Sequence, residues 1–267
     1  MTNALEYRVF PPAHRLQKQI RKYYIFKMPQ GFPDIPKTLF ADGSMDLFIN
    51  LGPGRPHIDG HGPLEPGTCY LSGIMTSFIR LSRTGNCTII GVQFRPGGLS
   101  YFFDISLPEY AGQVKKFPMG FFLPLPSDDL IHGLDRFFLS RLSPLPSISN
   151  LVGTIEATEG QISVKAMAHG YGTSCRTLER LFLHRVGISP KEYAAFVRYR
   201  TALGRMLEPH PRPNEKPGSL MHLAFDTGYY DHAHLTREIK KFTGMTPTVI
   251  QQFDASRVRF LSDFLFY

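Results

Sequence analysis

The chain has 267 residues, 42% of them hydrophobic, and a net charge of +8. That length is naturally shared between two domains, and the apolar content is enough for packed cores, which excludes a disordered polyelectrolyte. The start Met-Thr-Asn-Ala-Leu-Glu-Tyr-Arg has no apolar signal core and no long uncharged apolar run follows, so a membrane partner is not expected; Cys69, Cys87 and Cys175 show no paired spacing for zinc and suit a reducing cytoplasm.

The first half reads as strands. Leu39-Phe-Ala-Asp-Gly-Ser-Met-Asp-Leu-Phe-Ile-Asn-Leu51 lies within a β-like stretch from Thr38. Three short β-like runs follow, Cys69–Ile74, Ser77–Ser82 and Cys87–Phe94, with Gly85-Asn86 as a tight turn between the last two. This predicts a β-rich domain, a small barrel or sandwich. Between the strand runs, His57, His61 and Glu65 are the one set that could ligate a metal in an enzyme or metal sensor. They lie in a loop rich in Gly and Pro, and neither a metal nor another cofactor is expected. No Ser/His/Asp order, phosphate-binding loop or GxGxxG stands out, so the chain reads as not an enzyme. Arg95-Pro-Gly-Gly98 precedes a short helix predicted over Leu99–Asp104. A longer helix is predicted over Asp128–Leu142, with Leu130, Leu134, Phe137 and Phe138 on one side. Ser143-Pro-Leu-Pro-Ser147 separates the halves.

In the second half one pattern is written twice. Leu178-Glu-Arg-Leu-Phe-Leu-His-Arg-Val-Gly187-Ile-Ser-Pro190 returns 57 positions later as Leu235-Thr-Arg-Glu-Ile-Lys-Lys-Phe-Thr-Gly244-Met-Thr-Pro247. Each copy follows a short apolar helix and a glycine turn, at Gly172 and Gly228, which is the order of a helix-turn-helix. Ser163 and Ser174 can cap the two helices of the first unit; Ser219 and Asp231 can cap those of the second. Leu178, Leu181, Phe182 and Arg185 recur at helical spacing and predict a buried face, which leaves Arg176, Glu179, Arg180 and Leu183 outside. In the second unit Leu235, Ile239 and Phe242 form the stripe. His232, Ala233, His234, Arg237, Lys240 and Lys241 are left at the helix start or on the outer face. Ser189-Pro190-Lys-Glu192 is a capping box with proline at the first helical position, and Thr246-Pro247 repeats the cap and the proline. From Gln161 to Phe253 there are 13 Lys/Arg against 7 Asp/Glu, so six of the eight surplus charges lie with the repeats. Such a surplus supplies the sequence-independent attraction to a phosphate backbone.

Gly-Thr-Ser-Cys-Arg-Thr-Leu-Glu-Arg-Leu-Phe (172 to 182), Val-Gly-Ile-Ser-Pro (186 to 190), Leu-Ala-Phe-Asp-Thr-Gly-Tyr (223 to 229) and Phe-Thr-Gly-Met-Thr-Pro (242 to 247) together make residues 150 to 253 resemble the C-terminal DNA-binding domain of AraC/XylS-family bacterial transcription regulators. The resemblance implies seven helices, with two helix-turn-helix units joined by a long helix over Pro190 to Leu207. One chain then reaches two successive major grooves of double-stranded DNA. Base contacts are expected from Arg176, Glu179 and Arg180, and from His232, Ala233, His234 and Arg237; Glu179 has the alternative role of orienting Arg180 through an ion pair. Phosphate contacts are expected from Ser174, Lys240 and Lys241. The Pro-rich connection Glu208–Gly218 is longer than the family usually has and is expected to be an extended strap.

Asp42-Gly-Ser-Met-Asp46-Leu and Gly91-Val-Gln-Phe-Arg-Pro-Gly-Gly98 resemble the cupin-like N-terminal domain of some AraC-type regulators, over about residues 7 to 115. The implied partners are a small-molecule effector, a second copy in a homodimer and, for an activator, RNA polymerase. The expected organisation is α+β: a cupin-like sensory or dimerisation domain over 1–143, the helix-turn-helix domain over 148–256 and an apolar tail over 257–267. Val258 to Tyr267 places several large apolar side chains together and is expected to dock rather than dangle.

Overall fold

A computed structural model describes residues 6–29, 37–82, 86–118, 129–207 and 219–253. The N-terminal half is two antiparallel sheets. The larger takes the order β1 (Glu6–Phe10), β2 (Ile20–Met28), β9 (Cys87–Phe94), β4 (Met45–Asn50), β7 (Cys69–Ser72) and β10 (Val114–Lys116). The smaller runs β3 (Lys37–Leu39), β8 (Ile79–Ser82), β5 (His57–Ile58) and β6 (Gly62–Pro63). This is the β-rich domain that the sequence predicts, and the helical half beside it makes the molecule α+β.

The pleat of the larger sheet separates two cores. Tyr23, Leu47, Leu71, Ile90, Val92 and Phe94 face α1 (Leu130–Arg141). There Phe138 meets Tyr23 and Phe94 with ring centroids 6.4 and 5.6 Å apart, and Asp135 Oδ1 accepts from the Tyr23 hydroxyl at 2.8 Å. The opposite face, with Phe26, Phe48, Tyr70 and Ile89, turns toward Ile58 and Leu81 of the smaller sheet. Gly91 is needed here for close approach: a Cβ would stand 2.1 Å from the Tyr24 ring, which lies across it.

Several strands escape the sequence patterns. β2 reads Ile-Arg-Lys-Tyr-Tyr-Ile-Phe-Lys-Met without simple alternation because both its faces are covered, and Lys22 is only 3% exposed. β1 and β10, and the β5–β6 hairpin inside the Gly/Pro-rich segment, are too short for a period to show. Of the predicted runs, 77–82 becomes a strand only from Ile79. The helix predicted over Leu99–Asp104 is a three-residue 3₁₀ turn, Leu99–Tyr101, because the chain then turns Phe102 and Phe103 into the apolar core, where their rings meet Phe94, Phe138 and Phe117. Gly85 lies outside the described residues.

The second half holds seven described helices: α2 (Ser149–Ala157), α3 (Val164–Gly170), α4 (Cys175–Val186), α5 (Pro190–Leu207), α6 (Leu220–Asp226), α7 (His232–Thr243) and α8 (Pro247–Ile250). α5 is the spine. It buries Tyr193, Phe196, Val197, Tyr199, Ala202 and Leu203, while Arg200 and Arg205 pair with Glu156 and Glu159. The first apolar core continues from the β-domain into this half without a break. No described helix is long and apolar enough to cross a membrane.

Candidate nucleic-acid interface

The first unit is built by caps. Ser163 Oγ accepts from the Ala166 amide at 3.1 Å to start α3, and Gly172 turns the chain at φ +64°. Ser174 Oγ accepts from Thr177 N at 3.1 Å to start α4. α4 ends where Gly187, at φ +90°, returns its N–H to Leu183 O at 2.9 Å. A Cβ there would also press on the Leu107 carbonyl of the β-domain, at 3.1 Å. The predicted capping box forms: Glu192 N donates to Ser189 Oγ at 3.2 Å and Ser189 N to Glu192 Oε2 at 2.8 Å. Leu178, Phe182 and Arg185 are buried. Arg176, Glu179, Arg180, Leu183 and His184 are exposed.

The second unit repeats this design with two differences. Ser219 Oγ accepts from Met221 N at 3.2 Å, Gly228 turns at φ +76°, and Asp231 Oδ1 accepts from His234 N at 2.6 Å. Leu235, Ile239 and Phe242 are buried as predicted, with His232, Ala233, Arg237, Lys240 and Lys241 exposed. His234 is instead half-buried, its ring edge-on to Tyr229 at 5.1 Å. Thr246 precedes Pro247 at the start of α8, but its side chain accepts no capping bond, so here only the position of the cap is repeated. One exposed group escaped the sequence reading: Tyr230, 85% exposed, stands beside the Asp231 cap at the mouth of α7. An aromatic residue beside a turn glycine reads as core until its partners are known.

Glu179 forms no ion pair with Arg180, and among the described residues Arg176 and Arg180 pair with no carboxylate. Arg237 folds back onto its own helix, Nε to Ala233 O at 3.3 Å. The metal alternative is not assembled: His57 Nδ1 faces Ser82 Oγ at 3.5 Å, His61 Nδ1 accepts from Val114 N at 3.3 Å, and Glu65 pairs with Arg55. No group of three His, Cys, Asp or Glu among the described residues could hold a metal ion. The strap 208–218 and the tail from 254 lie outside the described residues.

Residues 167–252 match a family model described as a helix-turn-helix domain. The C-terminal half is an AraC-type helix-turn-helix domain. Residues 8–116 match a second model, described as a domain of unknown function, DUF6597. Nothing among curated proteins matches the chain. Solved structures that it resembles include a transcriptional regulator with an AraC-type DNA-binding domain from Chromobacterium violaceum, 23% identical, covering 39% of this chain and 88% of that one at a TM-score of 0.34. ToxT from Vibrio cholerae, 10% identical, covers 86% of this chain and 97% of its own at 0.45; its form with unsaturated fatty acid bound covers 96% and 98% at 0.46.

The AraC-type domain is fastened to the β-domain through the inner side of α4. Arg185 donates from Nε to Ser100 Oγ at 2.7 Å and from Nη1 to Pro146 O at 3.1 Å, with its guanidinium 4.7 Å from the centre of the Tyr101 ring. The outer side of α4 borders a groove whose other wall is Asp104, Ile105, Ser106 and Pro108.

Proposed function

We propose that the protein is a sequence-specific transcription regulator whose two reader helices, α4 and α7, enter successive major grooves. The observation that carries this is the pair of units capped alike, 57 positions apart, each turning basic side chains outward from a shared spine. α5, at 18 residues and about 27 Å, is of the right order to hold two readers about one turn of DNA apart. In this reading Arg176 and Arg180 meet guanine edges, Glu179 accepts from cytosine, and His232, Ala233, His234 and Arg237 read the second groove. Arg237 leaves its own helix carbonyl to do so. Ser174, Lys240 and Lys241 hold phosphates, and exposed Tyr230 joins them through its hydroxyl.

The domains divide at Ser143–Ser147, and the β-domain controls the readers through an effector or through dimerisation. Support comes from the groove on α4: a duplex entering it meets Asp104 to Pro108 of the β-domain, so a shift of that segment changes access to Arg176 and Arg180. Footprinting tests the reading. Arg180→Ala should weaken protection over one half-site and Arg237→Ala over the other, about one helical turn away. Loss spread evenly over specific and random DNA in both variants would leave only phosphate binding.

A further inference from the structure

Between the two sheets of the β-domain lies a cavity of about 180 Å³. Its walls are almost wholly apolar, Phe26, Met28, Phe48, Ile58, Leu81 and Ile89 among them, and its polar groups gather at one end. The strand register puts them there: Gln93 of β9, Asp46 of β4 and Ser72 of β7 are successive partners across the larger sheet, with Lys22 of β2 the partner of Gln93 on its other side. Asp42, from the turn before β4, joins them.

This end holds more acceptors than donors. Ser44 Oγ has one hydrogen to give and lies 2.8 Å from Asp42 Oδ1, Asp42 Oδ2 and Asp46 Oδ2 alike. Gln93 Nε2 donates to Asp42 Oδ2 at 2.8 Å and to Ser44 Oγ at 3.0 Å. Its Oε1, on a side chain 3% exposed, accepts from nothing, and turning the amide over would set an oxygen against the Asp42 carboxylate. A buried acceptor without a donor is costly unless a ligand supplies one. Charge points the same way: Asp42 and Asp46 stand together, and Asp46 has the Lys22 ammonium nearby and a hydrogen bond from the Tyr24 hydroxyl. Burial and the neighbouring Asp42 push the Asp46 carboxyl up to about 7, so near neutrality this end keeps a proton.

We propose that the cavity binds a small molecule with an apolar body and a protonated-amine head, the head seated among Asp42, Asp46 and Gln93 and the body held between the sheets. This rests on the reading of the β-domain as effector-controlled and gives that effector a chemical class. An ammonium supplies donors to Gln93 Oε1 and both carboxylates, and it replaces the proton held on Asp46. The seat also touches the reader domain. Ala41 N donates to Phe242 O, the Phe196 ring of α5 fills the space beside Gly43, and the Tyr199 hydroxyl is buried within the field of Asp42.

Calorimetric titration of the full chain, without DNA, with phenethylamine, phenethyl alcohol and hydrocinnamate tests the class at nearly constant size. The amine should bind about tenfold or more tightly than the alcohol, with the carboxylate weakest. Its affinity should rise severalfold from about pH 6 to pH 8 as Asp46 gives up its proton. The groups facing that pair are Lys22 and Tyr24 of β2, Tyr7 of β1 and Tyr199 of α5, with Cys87 at the apolar end. Asp46→Asn should lose the pH dependence and most of the preference for the amine, and Gln93→Leu, which leaves both carboxylates in place, should weaken the amine alone. Circular dichroism identifies any variant that fails to fold. Hydrocinnamate binding as tightly as the amine, amine binding unchanged in folded Asp46→Asn, or no saturable heat from the amine would each overturn the proposal. A chain that selects DNA but ignores the amine contradicts this inference alone; one that binds the amine but selects no DNA contradicts the regulator reading.

Discussion

Arg180 stands on the outer face of α4 and pairs with no carboxylate among the described residues, so none of those pairs must break before it meets a base edge. Arg180→Ala should therefore cost about 1–3 kcal/mol at a single base position, read by fluorescence anisotropy on a cognate duplex and its point variants. An equal loss on random DNA would make Arg180 a phosphate contact. Asp46 gives a second prediction at this scale. Its folded carboxyl titrates near 7 against an ordinary 3.8, so the folded state holds that proton more tightly than the unfolded chain does. The resulting stability is fully present below about pH 4 and is lost as pH rises through 7. Asp46→Asn removes this dependence. Measured by calorimetry, its stability relative to wild type should rise by about 1–3 kcal/mol between pH 5 and pH 8. A difference that does not change with pH would show that Asp46 is not held protonated.

The two N-terminal caps that precede proline make a test among elements. Ser189 is locked into a reciprocal box with Glu192, whereas Thr246 accepts no bond. Ser189→Ala should lower stability by about 1 kcal/mol, a fall of a few degrees in melting temperature, and Thr246→Ala by less than about 0.5 kcal/mol. Equal losses would mean that proline alone sets both starts. The same contrast shows what was legible in the sequence. Ser163, Ser174, Ser189, Ser219 and Asp231 act on amides two or three residues away, so each cap is written beside its helix. β2 is held by partners as far away as Phe94, and the burial of Lys22 hides its pattern. The outer faces of α4 and α7 could be read from spacing. The packing of His234 on Tyr229 and the exposure of Tyr230 could not, because both depend on how the turn places neighbouring rings.

Across the whole molecule Arg185 is the link that local reading cannot supply. Its inward position follows from helical spacing, but its acceptor Ser100 lies 85 positions earlier and belongs to the other domain. A buried guanidinium bonded to a hydroxyl and a carbonyl and stacked on Tyr101 is worth about 1.5–3 kcal/mol at such a contact. Arg185→Met should leave both domains folded but uncouple them. Hydrogen exchange should quicken in residues 99–110 and in α4, and the melting transition should broaden or split. Exchange unchanged in both segments would show that the apolar core alone joins the domains. The regulator reading itself has one most direct measurement, the sequencing of DNA fragments selected by the purified full chain from a random pool. Two conserved blocks are expected, with centres about 10–10.5 base pairs apart, the first lost in Arg180→Ala and the second in Arg237→Ala. A single block, or a pool that stays random, would contradict two readers held on one spine.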